Sequence, residues 1–181
     1  MTDEPEYVRN RDRADGSITL DEHDPAWAER YEREQARIRA ALGSRALRVE
    51  HVGSTSVPGL AAKPILDIVL VVADSAAEDA YVPELEAAGY ALHVREPGWH
   101  EHRLLKGRDP AVNLHVFSDG CPEIGRMVAF RDHLRANPDE RDRYLRTKRE
   151  LAARSWEYVQ DYADAKSAVI EEIISRTGAG Q

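Results

Sequence analysis

The chain has 181 residues, enough for one domain with a substantial hydrophobic core. Hydrophobic residues make up 42% of it and charged residues 32%, a balance typical of soluble globular proteins, and no run approaches the roughly 20 apolar residues that span a bilayer. The single cysteine, Cys121, excludes an intrachain disulfide and a cysteine-based zinc cage, and the net charge of −8 makes DNA an unfavourable partner.

The ends of the chain differ in character from its middle. Residues 1–17 are polar and mixed in charge, which excludes a signal peptide and predicts a flexible N-terminal arm. We expect one domain over residues 18–176 and a flexible tail over 177–181, because neither a repeat nor a low-complexity linker interrupts the chain. The composition and the lone cysteine predict a cytoplasmic protein without membrane association.

The first half of the domain alternates between helical and extended patterns. A helix is predicted over residues 24–43, with Asp24 as its cap and Gly43 as its stop. The stretch 46–52 is predicted to be a strand that enters the turn-rich segment GSTSVPGLAAKP. The apolar run ILDIVLVV, residues 65–72, is typical of a strand that is buried on both faces.

The second half predicts a sheet completed by helices. A helix from Asp74 to about Ala88, restarted at Pro83, precedes three strands over 90–94, 101–106 and 111–117. Helices then follow over 122–136 and 139–154, and a last one begins near Ser155. This order indicates an α+β or mixed α/β fold, with a mixed sheet, one crossover helix and a C-terminal helical layer.

The most informative segment for function is HVGSTSVPGLAAKPILDI. Gly53 and Ser54 leave a strand at a turn, where backbone amides and the hydroxyls of Ser54 and Thr55 can donate to phosphate oxygens. Asp67 is a carboxylate inside an apolar strand, which is costly unless it is paired, hydrogen-bonded or metal-bound. Lys63, four residues earlier, is its candidate partner or a further phosphate contact. The alternative is structural: such loops also serve only as turns, and a strand Asp can simply accept internal hydrogen bonds.

The same segment resembles the signature of the GrpB family, which belongs to the nucleotidyltransferase-like superfamily. The resemblance extends from ITLDEHDPAWAERYEREQARI through NLHVF and FRDHLRANPDERDRYLRTKRELA to DYADAKSAVIEEII, about residues 18–175. Related domains are also similar to the C-terminal extension of some dephospho-coenzyme A kinases. The chain lacks a P-loop GxxxxGK[ST] pattern, so we expect no kinase activity.

The resemblance implies a nucleotidyltransferase-like fold whose metal site is incomplete in this chain. Such folds carry a Gly-Ser helix start, which Gly53 and Ser54 match, and two alternating strand carboxylates that hold magnesium ions. Asp67 matches the first carboxylate and is the candidate metal ligand, but the second position is Val69. Such folds usually take a third carboxylate from a later strand. In this chain its position would fall on AVNLHVF, where His115 is the polar candidate. Magnesium prefers oxygen ligands, so we expect its binding to be weak or absent.

Further candidates lie on later segments. Arg103 on EHRLLK is predicted to face the same cleft and bind phosphate, with a solvated strand charge as the alternative. His100 and His102 would face the same way on a strand, which is a weak indication of a zinc or nickel site. The simpler interpretation is that both are loop or surface histidines. The stretch 131–154, which includes Lys148, holds eight basic and five acidic residues. It indicates either one wall of an anionic cleft or a salt-bridged surface.

Three functions remain open at the level of sequence. The first is a divergent nucleotidyl- or phosphoryl-transferase that binds a nucleotide or another phosphorylated small molecule, with Asp67 and His115 as catalytic residues. Gly53, Ser54, Thr55, Lys63, Arg103 and Lys148 would then bind phosphate. The second is a non-catalytic binding or regulatory module on a degenerate transferase fold, with an unknown protein partner. The third is a metal-dependent hydrolase built around the histidines.

Overall fold

A six-stranded mixed sheet forms the centre of the molecule. The computed structural model describes residues 4–177. The strands of the sheet lie in the order β1-β5-β6-β7-β4-β3, with β4 and β7 parallel and the other neighbours antiparallel. They are β1 Glu6–Tyr7, β3 Arg48–Val52, β4 Leu66–Val72, β5 Tyr90–Glu96, β6 His102–Arg108 and β7 Ala111–Ser118. The predicted mixed α/β class is therefore confirmed.

Helices cover both faces of the sheet. They are α1 Ala26–Leu42, α2 Val82–Ala87, α3 Pro122–Ala136, α4 Pro138–Ala152, α5 Val159–Ala165 and α6 Ser167–Ser175. Asp24 accepts a hydrogen bond from the Ala26 amide, as expected of a residue at a helix start. Across the described residues, 4–177, every helix is too short or too polar to traverse a bilayer.

Side-chain alternation along β4 divides the core into two layers. Ile68 and Leu70 point into the cluster that contains residues of α1 and α2. Val69 and Val71 point the other way and pack with Phe117 of β7 and with Ile124 of α3. Asp67 shares this second face because it is two residues from Val69. It therefore lies beneath the C-terminal helices, at the N-terminal end of the strand.

The N-terminal segment is more ordered than the sequence predicts. Residues 6–7 pair with β5, and β2, Arg13–Gly16, pairs with a short strand β8, Trp156–Tyr158. The prediction of a flexible arm over 1–17 is therefore corrected for these two strands, which are held by backbone hydrogen bonds. Residues 1–3, and residues 178–181 of the predicted tail, lie outside the described residues.

The predicted last helix is divided. The prediction started it near Ser155, but residues 156–158 form β8, and the helical part consists of α5 and α6 with Lys166 between them. Edge pairing with β2 accounts for the extended start. The Asp161 side chain accepts a hydrogen bond from the Tyr158 amide and so begins α5 one turn later. The helix predicted over 74–88 is also shortened, to a 3₁₀ turn at Glu78–Ala80 followed by α2.

Candidate functional site

Asp67 is partly exposed and is held by two side chains of β7. Its strand lies beside β7 in parallel register, with Asp67 opposite Asn113. Asn113 Nδ2 donates to Asp67 Oδ1 at 3.0 Å, and His115 Nε2 lies 3.6 Å from the same oxygen. The Asp67 side chain remains 31% exposed. The carboxylate is therefore fixed by the sheet without being sealed from solvent.

Gly53 brings the turn after β3 directly against this carboxylate. It has φ 70° and precedes the 3₁₀ turn Ser54–Ser56, whose Ser56 hydroxyl donates to the Gly53 carbonyl. A Cβ at Gly53 would lie 2.9 Å from the Asp67 Cβ. Only glycine combines this left-handed backbone with so close an approach. The turn and Asp67 thus form one continuous surface.

The two hydroxyls of the turn differ in their availability. Thr55 is buried, and its Oγ1 lies 2.9 Å from His51 Nε2. Ser54 is half-buried and lies near the buried Tyr144 of α4, whose pKa burial raises and Ser54 acts to lower. The predicted role of Thr55 as a phosphate donor is not supported by its position, because its hydroxyl is used inside the fold. Ser54 remains at the site.

Three lysines from separate parts of the chain interact electrostatically with Asp67. Lys63 precedes β4, Lys148 lies on α4, and Lys166 lies between α5 and α6. Lys148 is 2% exposed and donates to the Ala61 carbonyl at 2.7 Å, whereas the other two are half-buried. We call Lys63, Lys148 and Lys166 the lysine cluster. Three amino groups thus interact with one carboxylate, and their formal positive charge exceeds its single negative charge.

Burial lowers the pKa of each lysine in the cluster. Desolvation lowers the pKa of Lys148 to about 7 and that of Lys166 to about 8, and Asp67 opposes the change in both. Desolvation also lowers the pKa of Lys63. A bound anion would favour the charged ammonium forms and would raise these values again.

The pKa of Asp67 itself lies below its ordinary value. Desolvation acts to raise it, but the contacts from His115 and Asn113 and the charge of Lys166 together lower it. The neighbouring His51 is neutral at pH 7 because burial lowers its pKa to about 4. Asp67 is therefore an ionised carboxylate at neutral pH.

The structure separates Arg103 from this site. Arg103 stands opposite Val116 in the β6–β7 pair, and Val116 belongs to the α1–α2 face of the sheet. Its guanidinium is 6% exposed and donates to Glu78 at 2.6 Å and to the Glu101 carbonyl at 2.9 Å. The prediction that Arg103 faces the cleft and binds phosphate is wrong. Strand alternation turns it to the other face, where carboxylates neutralise it.

The donor set does not fit a magnesium pair. Val69, at the second carboxylate position, is fully buried in the apolar cluster beneath α3. The side chains of β7 that reach Asp67 offer nitrogen, in Asn113 Nδ2 and His115 Nε2, where magnesium requires oxygen. Within residues 4–177, no group of three His, Cys, Asp or Glu side chains is placed to hold a metal ion.

His100 and His102 do not act as a pair. His100 lies in the turn before β6 at φ 55°, with its ring against Trp99. His102 is buried in β6, where it contacts Glu96 and His115. The weak prediction of a metal site on these two residues therefore has no geometric support, and His102 is neither a loop nor a surface histidine.

Several arginines of the stretch 131–154 are paired. Arg131 contacts Glu50 and Asp132, and Arg143 contacts Glu172. This favours the salt-bridged surface over an anionic cleft for most of the stretch. Lys148 is the exception, since it points inward.

Two shallow surface depressions lie away from Asp67, one lined by Ile18, Leu20, Arg149 and neighbours, and one by Arg37, Ala41, Ala88 and neighbours.

Sequence reasoning missed part of the site. Lys166 follows Tyr162 by four residues, a spacing that places both on one side of a helix, and its ammonium group lies 4.5 Å from the centre of that ring. Asn113 could have been found from strand alternation, because it lies two residues before His115 on the same face. Glu96 carried no sequence signal, since its approach to His102 depends on the pairing of β5 with β6.

A family model described as GrpB protein matches residues 17–176. A UPF0157 protein of Halalkalibacterium halodurans is 61% identical over 163 residues, which cover 90% of this chain and 84% of that protein. A dephospho-CoA kinase of Mycolicibacterium paratuberculosis is 34% identical over 186 residues, covering 88% of this chain but 46% of the kinase. The similarity to the kinase is therefore limited to part of that protein.

A solved structure supports the same relationship. The crystal structure of the conserved protein GrpB from Enterococcus faecalis matches with a TM-score of 0.71 and 32% sequence identity. The match covers 88% of this chain and 96% of that chain. The similarity thus extends over most of this chain and nearly all of the other.

Proposed function

Because the chain belongs to the GrpB family, we propose that it binds a phosphorylated small molecule, such as a nucleotide, beside Asp67. The lysine cluster carries this proposal: three amino groups interact electrostatically with one carboxylate, which leaves positive charge for an anion to neutralise. The turn at Gly53 and Ser54 supplies a close backbone surface for the ligand. A cytoplasmic location is part of the proposal.

We further propose that binding does not use a magnesium pair. An aspartate at position 69 would place a charge among apolar side chains, so the strand has no room for the second metal-binding carboxylate. In our proposal the lysines neutralise the charge of the phosphate instead of metal ions. If the protein is an enzyme, the reaction is nucleotidyl or phosphoryl transfer, with Asp67 or His115 accepting a proton.

A non-catalytic binding or regulatory module is the second candidate, and the burial of Val69 favours it. Asp67→Asn separates the two, since the amide keeps the shape of the side chain and removes its charge. If the protein is an enzyme, the Asp67→Asn variant loses turnover of any phosphorylated substrate that the unsubstituted protein converts. If it is a binding module, neither protein shows turnover and the variant still binds the ligand. The neutral amide of this variant does not repel an anion as the carboxylate does, so binding should be retained or slightly stronger in both cases.

Calorimetric titration with inorganic phosphate and with nucleoside mono- and triphosphates, with and without Mg²⁺, tests the proposal. Lys166→Gln should weaken binding about tenfold, because a charge-assisted contact is lost while a polar side chain, one atom shorter, remains. Arg33→Gln is the matched control, since Arg33 is exposed on α1, on the other side of the sheet, and is paired with Glu29. Absence of binding by every phosphate compound, or an equal loss in both variants, would refute the proposal.

A further inference from the structure

A line of four side chains crosses four strands of the sheet and ends at Asp67. Glu96 Oε2 lies 2.6 Å from His102 Nδ1, and His102 Nε2 lies 3.1 Å from His115 Nδ1. His115 Nε2 in turn lies 3.6 Å from Asp67 Oδ1. We call Glu96, His102 and His115 the imidazole relay. Strand pairing sets its geometry, because Glu96 stands directly opposite His102 and all four side chains lie on one face.

The surroundings of the relay hold its two rings in place. The rings of His102 and His115 are stacked, with centroids 5.2 Å apart, and Phe117 and Trp99 pack against His102. His102 is 3% exposed, so its ring cannot exchange these partners for water. The Glu96 and His115 side chains are 26% and 20% exposed. The relay therefore joins two partly exposed ends through a buried centre.

Counting protons along the line determines the direction of each hydrogen bond. The Glu96 carboxylate accepts, so His102 donates from Nδ1 and its Nε2 is the acceptor. His115 must then donate from Nδ1, so that a His115 ring carrying a single proton has an unprotonated Nε2. With one proton on each ring, two N–H groups serve three gaps. The gap between His115 Nε2 and Asp67 Oδ1, at 3.6 Å, is longer than a hydrogen bond and is the one left without a proton.

The charged groups around the line are compatible with this assignment. His102 faces Glu96, His115 and Arg103, and burial lowers its pKa to about 4, so its ring is neutral at pH 7. The guanidinium of Arg103 is turned to Glu78 and Glu101 on the other face of the sheet. At the other end, the lysine cluster and His51 act on Asp67. The relay thus combines the Glu96 carboxylate with the buried, neutral ring of His102.

From this geometry we infer that Glu96 and His102 are positioning residues, which fix His115 so that its Nε2 and Asp67 Oδ1 together accept a ligand hydroxyl. A ligand O–H group can donate a hydrogen bond into the gap between these two acceptors. The positive charge of the lysine cluster favours a phosphate group on the same ligand. The ligand class is thus a phosphorylated compound with a free hydroxyl, such as a nucleotide or a sugar phosphate. This ligand class rests on the proposed function, whereas the tautomer assignment does not.

Imidazole ¹⁵N spectra of the ligand-free protein at pH 7 test the assignment. The expected result is an N–H at Nδ1 of both His102 and His115, with Nε2 of His115 unprotonated. Glu96→Ala should then free the His102 ring and shift the tautomer ratio of His115 by about tenfold toward the Nε2–H form. The matched control Glu101→Ala, which removes a carboxylate bound to Arg103, should leave the ratio unchanged.

Two results would overturn the inference. One is a protonated Nε2 of His115 in the unsubstituted protein, a measurement that needs no variant to fold. The other is an unchanged His115 spectrum in folded Glu96→Ala. Absence of phosphate binding with the expected tautomers would refute the proposed function alone. Among bound phosphates, a deoxy analogue that binds as tightly as its hydroxyl-bearing parent would overturn the proposed ligand class.

Discussion

Gly53 and Asp67 are in such close contact that no other residue fits between the turn and the strand. A Cβ on Gly53 would lie 2.9 Å from the Asp67 Cβ and 3.0 Å from its Cγ, and the backbone is left-handed at φ 70°. The turn is therefore built around the carboxylate. The two features that the sequence offered as separate candidates form one structural unit.

Gly53→Ala should destabilise the protein by about 3 kcal/mol, since it adds a steric overlap to the backbone strain of a left-handed alanine. Gly120→Ala is the control: it has φ 80° but nothing within 4 Å of its added Cβ, so it should cost only about 1 kcal/mol. Urea unfolding of both variants measures the difference. Equal losses of unfolding free energy in the two variants would show that the Asp67 side chain moves aside to accommodate the added methyl group.

Lys148→Met should alter the pH dependence of stability. The folded-state pKa of Lys148, about 7, is below its unfolded value of 10.5, so between these values the unfolded chain binds more protons. The unsubstituted protein therefore gains stability as the pH rises through this window, and the variant lacks that gain. From pH 7 to pH 9 the difference in unfolding free energy should change by about 2 kcal/mol. A constant difference in chemical denaturation would show that the amino group is not desolvated.

Val69→Asp should destabilise the fold by more than about 3 kcal/mol, because Val69 is fully buried among apolar side chains. Mg²⁺ should not restore stability. Val71→Asp is the control, since Val71 lies on the same face of the strand in the same cluster, two residues farther from Asp67. Thermal unfolding with and without Mg²⁺ measures both. Rescue of Val69→Asp alone would show that the site can become a metal site.

Arg103→Met should reduce stability by about 2 kcal/mol and leave phosphate affinity unchanged. The loss arises because Glu78 keeps only Arg95 as a partner. Parallel denaturation and calorimetry on the same preparation separate the two effects. A lower phosphate affinity in a stably folded Arg103→Met variant would show that Arg103 contributes to phosphate binding.

The sequence predicted the order of the main strands and helices because these elements carry strong periodic signals, such as the apolar run of β4 and the capped start of α1. It could not predict β8, since a three-residue strand exists only through its pairing with β2. At the site, Gly53 and Asp67 were recognisable from their local chemistry. The face on which Arg103 lies depends on strand register, and the place of Lys166 depends on how the last helices dock, which no local pattern specifies.

The lysine titration is the most direct test of the anion site. Lysine ¹³Cε signals of the protein should be followed against pH, with and without phosphate. Phosphate should raise the pKa of Lys148 from about 7 and that of Lys166 from about 8, because the anion stabilises both ammonium forms. Unchanged titration of both lysines at saturating phosphate would contradict the account.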